Sequence, residues 1–317
     1  MKRFLPGLSL ALALVGPVGC DRSKGCGGPK DGDRARVAVS IFPVYDLTRR
    51  VAGPDADVTL LLQPGKNEHT FDPTPREIEE VSRARLGVMV GLGLDPWMEK
   101  LMKDAAPKAR VLKVGDRVPT ITITQEAVGE EEAHAAAKGK EEDHDDKAGA
   151  TDPHVWLDPQ RARLIVKQIA EELARADAAH AAGYRERASV LDASLEKLDK
   201  ETEERTKAWK TRGFVTFHGS FGYYADRYKL QILAVIEPYP GTTPDGKYIA
   251  KVLEVIKAKK VSALYSEPQL DARPAKVLAD EAKIPLGVLD PVGGAPETDS
   301  YEKMIRFSTD ALEKNLK

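Results

Sequence analysis

Strand-like and helix-like segments alternate along this chain, and that alternation restricts its fold more than any other feature. Short runs rich in β-branched residues at 37–41, 58–62, 88–90 and 111–114 read as strands. The stretches 44–51, 75–84 and 96–105 between them read as helices, the last two opening on Pro75 and Pro96, where a first helical turn tolerates proline. The pattern returns with strands at 214–217, 232–236, 263–265 and 286–289 and helices at 222–228, 248–258, 274–282 and 301–316. Strand and helix in alternation build parallel sheets covered by helices. The expectation is an α/β protein with two doubly wound lobes, each holding a parallel-type sheet.

Two stretches break the rhythm. Residues 126–150 have few large apolar side chains and carry Glu130 to Glu132, Glu141 to Asp143 and Asp145-Asp146, so they cannot bury enough surface to fold alone. They read as a mobile acidic surface loop within the first lobe, carrying His134 and His144 and able to raise the local concentration of dications. A solvated insertion is the plainer alternative. Between the lobes, Ile165, Ile169 and Leu173 recur at helical spacing. Tyr184, Ala188, Leu191, Leu195, Leu198, Thr202 and Trp209 then do the same over about 25 residues, or roughly 38 Å of helix. A coiled-coil dimer seam would explain this spacing, and so would a rigid connector between lobes. With the connector, the chain divides into an N-terminal lobe at 36–181, a connecting helix at 182–210 and a C-terminal lobe at 211–317, with a cleft between the lobes.

Lys2 and Arg3, the apolar run from Phe4 to Val18, and Gly19-Cys20 follow the order of a secretory signal over residues 1–20. The run is short for a membrane span, which needs about 20 apolar residues. Val18-Gly19-Cys20 is similar to a bacterial lipobox, in which Cys20 would be lipidated, although Pro17 stands where that motif prefers Leu. A Cys20–Cys26 disulfide or two incidental thiols are the alternatives. Gly-rich, charged residues at 21–35 suit a flexible tether. No cysteine follows Cys26, so the folded body has neither an internal disulfide nor a thiolate metal site. With 48 basic against 50 acidic residues, interleaved along most of the chain, there is no electrostatic footprint for nucleic acid.

Open α/β sheets hold ligands at the carboxyl ends of their strands. Four residues fall in such loops: His69 and His154 in the first lobe, His218 and Asp290 directly after strands of the second. Imidazole suits zinc, copper, iron and nickel, and carboxylate suits manganese and is tolerated by zinc. Three His and one Asp would close a tetrahedral shell with no position left for a reactive water. Each has a plainer reading, because a single loop histidine is usually hydrogen-bonded or solvated and Asp290-Pro291 could merely begin a turn. His180, in an Ala-rich helical stretch, reads as a surface residue.

The loops around these residues resemble those of the zinc- and manganese-specific solute-binding receptors of ABC transporters, a branch that includes metal-binding lipoproteins once described as adhesins. The first is Gly65-Lys66-Asn67-Glu68-His69-Thr70-Phe71-Asp72-Pro73-Thr74-Pro75, and the second, the most specific, is Asp152-Pro153-His154-Val155-Trp156-Leu157-Asp158-Pro159. The third is His218-Gly219-Ser220-Phe221-Gly222-Tyr223, and the fourth joins Ser266-Glu267-Pro268-Gln269 with Leu289-Asp290-Pro291. The resemblance spans nearly all of Arg36 to Leu316. It implies a non-enzymatic, monomeric receptor whose ligands are His69, His154, His218 and Asp290, and whose partners are a divalent metal and a membrane permease. His218, Glu68 and the His-containing acidic loop point to Zn(II) as cargo, with Mn(II) or Fe(II) as the alternative. Glu68, Asp72, Asp158 and Glu267 are the candidates for carboxylates that orient the imidazoles. Trp156 and Tyr223 are expected to pack beside the ligands.

Two rival functions belong to other classes. A zinc hydrolase would use three ligands, an activated water and Glu267 or Glu68 as base. The sequence contains no His-Glu-x-x-His helix, and a fourth protein ligand would take the water's place. A surface adhesin could use the same fold.

Overall fold

The computed structural model describes residues 34–123, 150–238 and 241–317. The expected signal segment, lipidation at Cys20, nearly all of the tether, and His134 and His144 of the acidic loop lie outside the described residues. Arg34 and Ala35 of the expected tether are described, and Ala35 is the first residue of a strand.

Four strands, β1 (Ala35–Val39), β2 (Ala56–Leu60), β3 (Leu86–Met89) and β4 (Arg110–Lys113), form an all-parallel sheet in the order β2-β1-β3-β4. Helices α1 (Phe42–Ala52), α2 (Pro75–Ser82) and α3 (Pro96–Ala105) fill the connections. The second sheet contains β5 (Gly213–Thr216), β6 (Gln231–Val235), β7 (Leu264–Ser266) and β8 (Leu286–Val288), parallel in the order β6-β5-β7-β8. Three helices connect its strands: α6 (Gly222–Tyr228), α7 (Gly246–Lys259) and α8 (Arg273–Ala282). The first strand begins two residues before the β-branched run. Ala35 and Arg36 pair with Ala56 and Asp57, and Ser40-Ile41 already turns into α1, whose N-cap is Ile41.

Two helices lie between the sheets in sequence, α4 (Pro159–Ala176) and the 27-residue α5 (Ala181–Lys207), and α9 (Tyr301–Leu316) closes the chain. At the start of α4, Asp158 accepts from the Gln160 N–H and Pro159 occupies the first turn. The apolar stripe of α5 is buried as its spacing predicts, at Tyr184, Ala188, Leu191, Leu195 and Leu198. That stripe packs within this chain, against α1, α4 and α9.

Period-2 alternation divides the core. Val37 and Val39 of β1 face a cluster that also holds Leu191, Leu195, Phe214, Tyr265 and Leu289, while Ala38 faces Met89, Met98 and Met102. In β5, Phe214 joins that same large cluster and Val215 faces Val252, Ile256 and Leu278. Each sheet therefore has one private layer and one layer in common. Further ties link the two halves: Arg50 of α1 makes two hydrogen bonds to Glu302 of α9, at 2.6 and 3.0 Å. Tyr301 Oη donates to the Trp156 carbonyl at 2.6 Å, and Trp156 Nε1 donates to the Pro291 carbonyl at 2.7 Å.

Candidate metal centre

Both sheets direct their post-strand loops to one place. His69 sits in the loop leaving β2, where its N–H donates to Asn67 Oδ1 at 2.8 Å. The loop is pinned from α3, since Trp97 Nε1 donates to the Glu68 carbonyl at 3.2 Å and Phe71 packs edge-on against Trp97. His154 precedes a buried 3-10 turn, Val155–Leu157. Asp152 Oδ1 accepts from its backbone N–H at 2.9 Å and lies 2.8 Å from its Nδ1. His218 directly follows β5; its Nδ1 lies 2.6 Å from Glu267 Oε2, and its N–H donates to Glu267 Oε1 at 3.3 Å. Glu267 in turn follows β7.

A carboxylate at Nδ1 places the ring proton there, so Nε2 of His154 and of His218 presents a lone pair. Those lone pairs converge. His154 Nε2 is 3.4 Å from His69 Nε2 and 3.2 Å from His218 Nε2. With Zn–N bonds of about 2.0–2.1 Å, two nitrogens on one tetrahedral edge stand roughly 3.3–3.4 Å apart. Neutral acceptor nitrogens at this distance repel unless a cation or proton lies between them. The tetrahedral edge and the observed spacing agree within 0.2 Å.

Glu68 completes the group: one oxygen of its carboxylate and one nitrogen from each of His69, His154 and His218 all lie within 4.8 Å of one another. Glu68 is 2% exposed, and its Oε1, 3.9 Å from His69 Nε2, has no hydrogen-bond partner among the described residues. Burial raises its pKa, opposed in part by the nearby imidazoles. A buried carboxylate oxygen without a donor, beside three imidazoles, has the chemistry of a cation ligand.

The other residues named from the sequence lie as follows. Asp290 is buried at the end of β8, but its carboxylate is occupied. Oδ1 accepts from the N–H groups of Val292 and Gly293 and from Gln269 Nε2, and Oδ2 accepts from Thr298 Oγ1. Gly293, at φ +74°, supplies the left-handed turn that brings its N–H onto that carboxylate. Asp290 is thus not part of the Glu68 group, and its carboxylate organises the 290–298 turn. Asp72 is exposed. Asp158 caps α4 and pairs with Arg161. Glu267 alone of the four candidate carboxylates meets an imidazole Nδ1. Asp152 does the same for His154 and is not among those four candidates; its position two residues before the histidine, as in an Asx turn, is the sequence signal for it. Trp97 carried no signal. Trp156 packs against His154 with ring centroids 5.3 Å apart, and Tyr223 donates to the Asp152 carbonyl at 2.7 Å. His180 is partly exposed and contacts Asp177.

The profile of the family described as zinc-uptake complex component A, periplasmic (ZnuA), matches residues 37–315. Among curated proteins, the chain is 29% identical over 287 residues to zinc-binding protein AdcA of Streptococcus pyogenes serotype M3, covering 89% of this chain and 55% of that protein. The chain therefore spans about half the length of these AdcA relatives. It is 27% identical over 315 residues to the high-affinity zinc uptake system protein ZnuA of Brucella abortus, covering 92% of this chain and 94% of that one. A crystal structure of a ZnuA superposes with a TM-score of 0.77 at 23% identity over 90% of this chain and all of that one, so the fold is shared. With its two parallel sheets, its long helix and a profile match over almost the whole folded body, the chain belongs to the family of periplasmic A components of zinc-uptake complexes.

Proposed function

We propose that this chain is an extracytoplasmic receptor that captures Zn(II) between its two sheets and delivers it to the permease of an ABC transporter. The observation that carries the reading is the Nε2 spacing of 3.2 and 3.4 Å among three imidazoles, two of which are held by carboxylates at Nδ1. His69, His154 and His218 are the nitrogen ligands and Glu68 is the fourth. Asp290, the other contender for that position, serves as the internal brace of the 290–298 turn. Three nitrogens and one carboxylate favour zinc over manganese, which prefers an oxygen-rich shell. The ligands come from elements of both sheets, so the bound ion bridges them and fixes the surface that a permease reads. The family's periplasmic setting accords with export by the N-terminal segment, and a lipid at Cys20 would hold the receptor at the membrane. His134 and His144 would feed the cleft.

The test is a chelator-stripped protein titrated with zinc against a competing chromophoric chelator. One zinc per chain is expected, with a loss of at least a hundredfold in affinity for His154→Ala and His218→Ala. Glu68→Ala is expected to weaken zinc more than Asp290→Ala does; the reverse order would return the fourth position to Asp290. At free zinc 1,000 times the dissociation constant, binding to the folded state alone adds about 4 kcal/mol of stability. A melting midpoint indifferent to zinc would overturn the receptor reading.

A further inference from the structure

We infer that Tyr223 is a positioning residue for metal binding: from the segment that follows His218, it holds Asp152 in the place where Asp152 orients His154. Tyr223 is fully buried in the first turn of α6. Its hydroxyl donates to the Asp152 carbonyl at 2.7 Å and accepts from the Ile121 N–H at 3.2 Å. These two groups belong to a short antiparallel pairing, in which Asp152 N–H donates to Ile121 O at 2.9 Å and Thr122 bridges Thr151. The phenol therefore joins both strands of the pairing that leads into the second ligand loop. Burial pushes it up to about 12, so it stays a donor throughout the neutral range. Its ring is fixed by the Arg161 guanidinium, 4.5 Å from the ring centroid, and Arg161 is itself held by the Pro119 carbonyl and Asp158.

The neighbouring residue acts on the same aspartate. A Cβ at Gly222 would stand 2.4 Å from Asp152 Oδ2, closer than real side chains approach. The helix there has ordinary geometry, and it is the carboxylate that needs the space. Asp152 is thus held at three points: its carbonyl by Tyr223, Oδ2 against the bare Cα of Gly222, and Oδ1 on the N–H and Nδ1 of His154. Two of the three come from the loop and helix that carry His218. The segment bearing one ligand therefore sets the tautomer and aim of another in the loop ahead of α4, and displacing α6 from that loop loosens His154 even where its own loop is intact. This inference rests on His154 being a ligand.

The experiment compares Tyr223→Phe, Gly222→Ala, Asp152→Ala and Asp152→Ala/Tyr223→Phe by chelator competition, with Tyr265→Phe as a control. Tyr265 donates to the Ala311 carbonyl away from the imidazoles. Tyr223→Phe and Gly222→Ala are each expected to weaken zinc about tenfold, as loss of outer support does at metal sites. Tyr265→Phe should leave affinity unchanged. The double variant should bind as Asp152→Ala alone, because a residue acting through Asp152 has no effect without its carboxylate. In metal-free protein, 15N NMR should show the His154 ring losing Nδ1–H tautomer in Tyr223→Phe, a change that general loosening of the fold would not confine to His154. Wild-type affinity in Tyr223→Phe, or additive losses in the double variant, would overturn the inference. If Asp152→Ala fails to fold, Gly222→Ala decides, because it displaces the carboxylate and leaves the phenol in place. Failure of the ligand reading is separate, since it would appear as retained zinc affinity in His154→Ala.

Discussion

Removing the charge of Glu302 tests how firmly α9 is fastened to α1. Its carboxylate accepts two hydrogen bonds from the Arg50 guanidinium, at 2.6 and 3.0 Å, and one from Ser194 Oγ at 2.9 Å. The side chains are 11% and 30% exposed, which places the pair between a surface ion pair, contributing at most about 1 kcal/mol, and a buried one, whose breakage costs about 3–5 kcal/mol. Glu302→Gln should therefore cost about 2 kcal/mol at pH 7, a fall in melting midpoint of about 4 °C for a chain of this size. The pH dependence has a definite sign. Burial alone would raise the Glu302 pKa, but the Arg50 hydrogen bonds and charge outweigh it, and the folded-state value lies below the ordinary one. The contribution is complete above the ordinary carboxylate range near pH 4 and is lost as pH falls through the lower folded value. Urea unfolding of metal-free wild type and variant from pH 7 down to about pH 3 reads the gap directly, because titrations common to both proteins cancel. A gap that stays constant over that range, or one under about 0.5 kcal/mol at pH 7, would refute the reasoning.

Two further outcomes are expected. Glu267→Gln keeps the shape of the side chain beside His218 but removes its charge, and zinc affinity should drop about 10- to 100-fold in a competition titration. Leu195→Ala empties a fully buried position in the α5 stripe and should cost about 2–5 kcal/mol by urea unfolding, with the zinc stoichiometry unchanged.

The sequence exposed the fold through its periodicity, and its limits are equally physical. The β-branched runs located every strand to within two residues, yet the ends moved where pairing partners decided them, as Ala35 and Ala56 did. His218 was visible as a residue at the carboxyl end of a strand, and His69 and His154 through the loop motifs that surround them. Glu68 was visible as a candidate carboxylate beside the imidazoles but not as a member of the ligand set. Whether its carboxylate turns inward depends on how Asn67 and Trp97 hold the loop, and Trp97 lies on a helix almost thirty positions away. Asp290 shows the opposite case, a position legible at the end of β8 and a side-chain direction that is not. Gly293 and Thr298 set that direction through hydrogen bonds that no spacing rule anticipates.

The common layer of the core bears on how such a chain can come apart. Val37 and Val39 from the first sheet, Phe214 and Tyr265 from the second, and the α5 leucines pack in one contiguous cluster. Neither half can shed the other without exposing that layer to water, so neither half is an autonomous folding unit. Unfolding should appear as one calorimetric transition, and a fragment ending within α5 should fail to fold by itself. The two-lobed outline describes where the strands lie; thermodynamically there is one body.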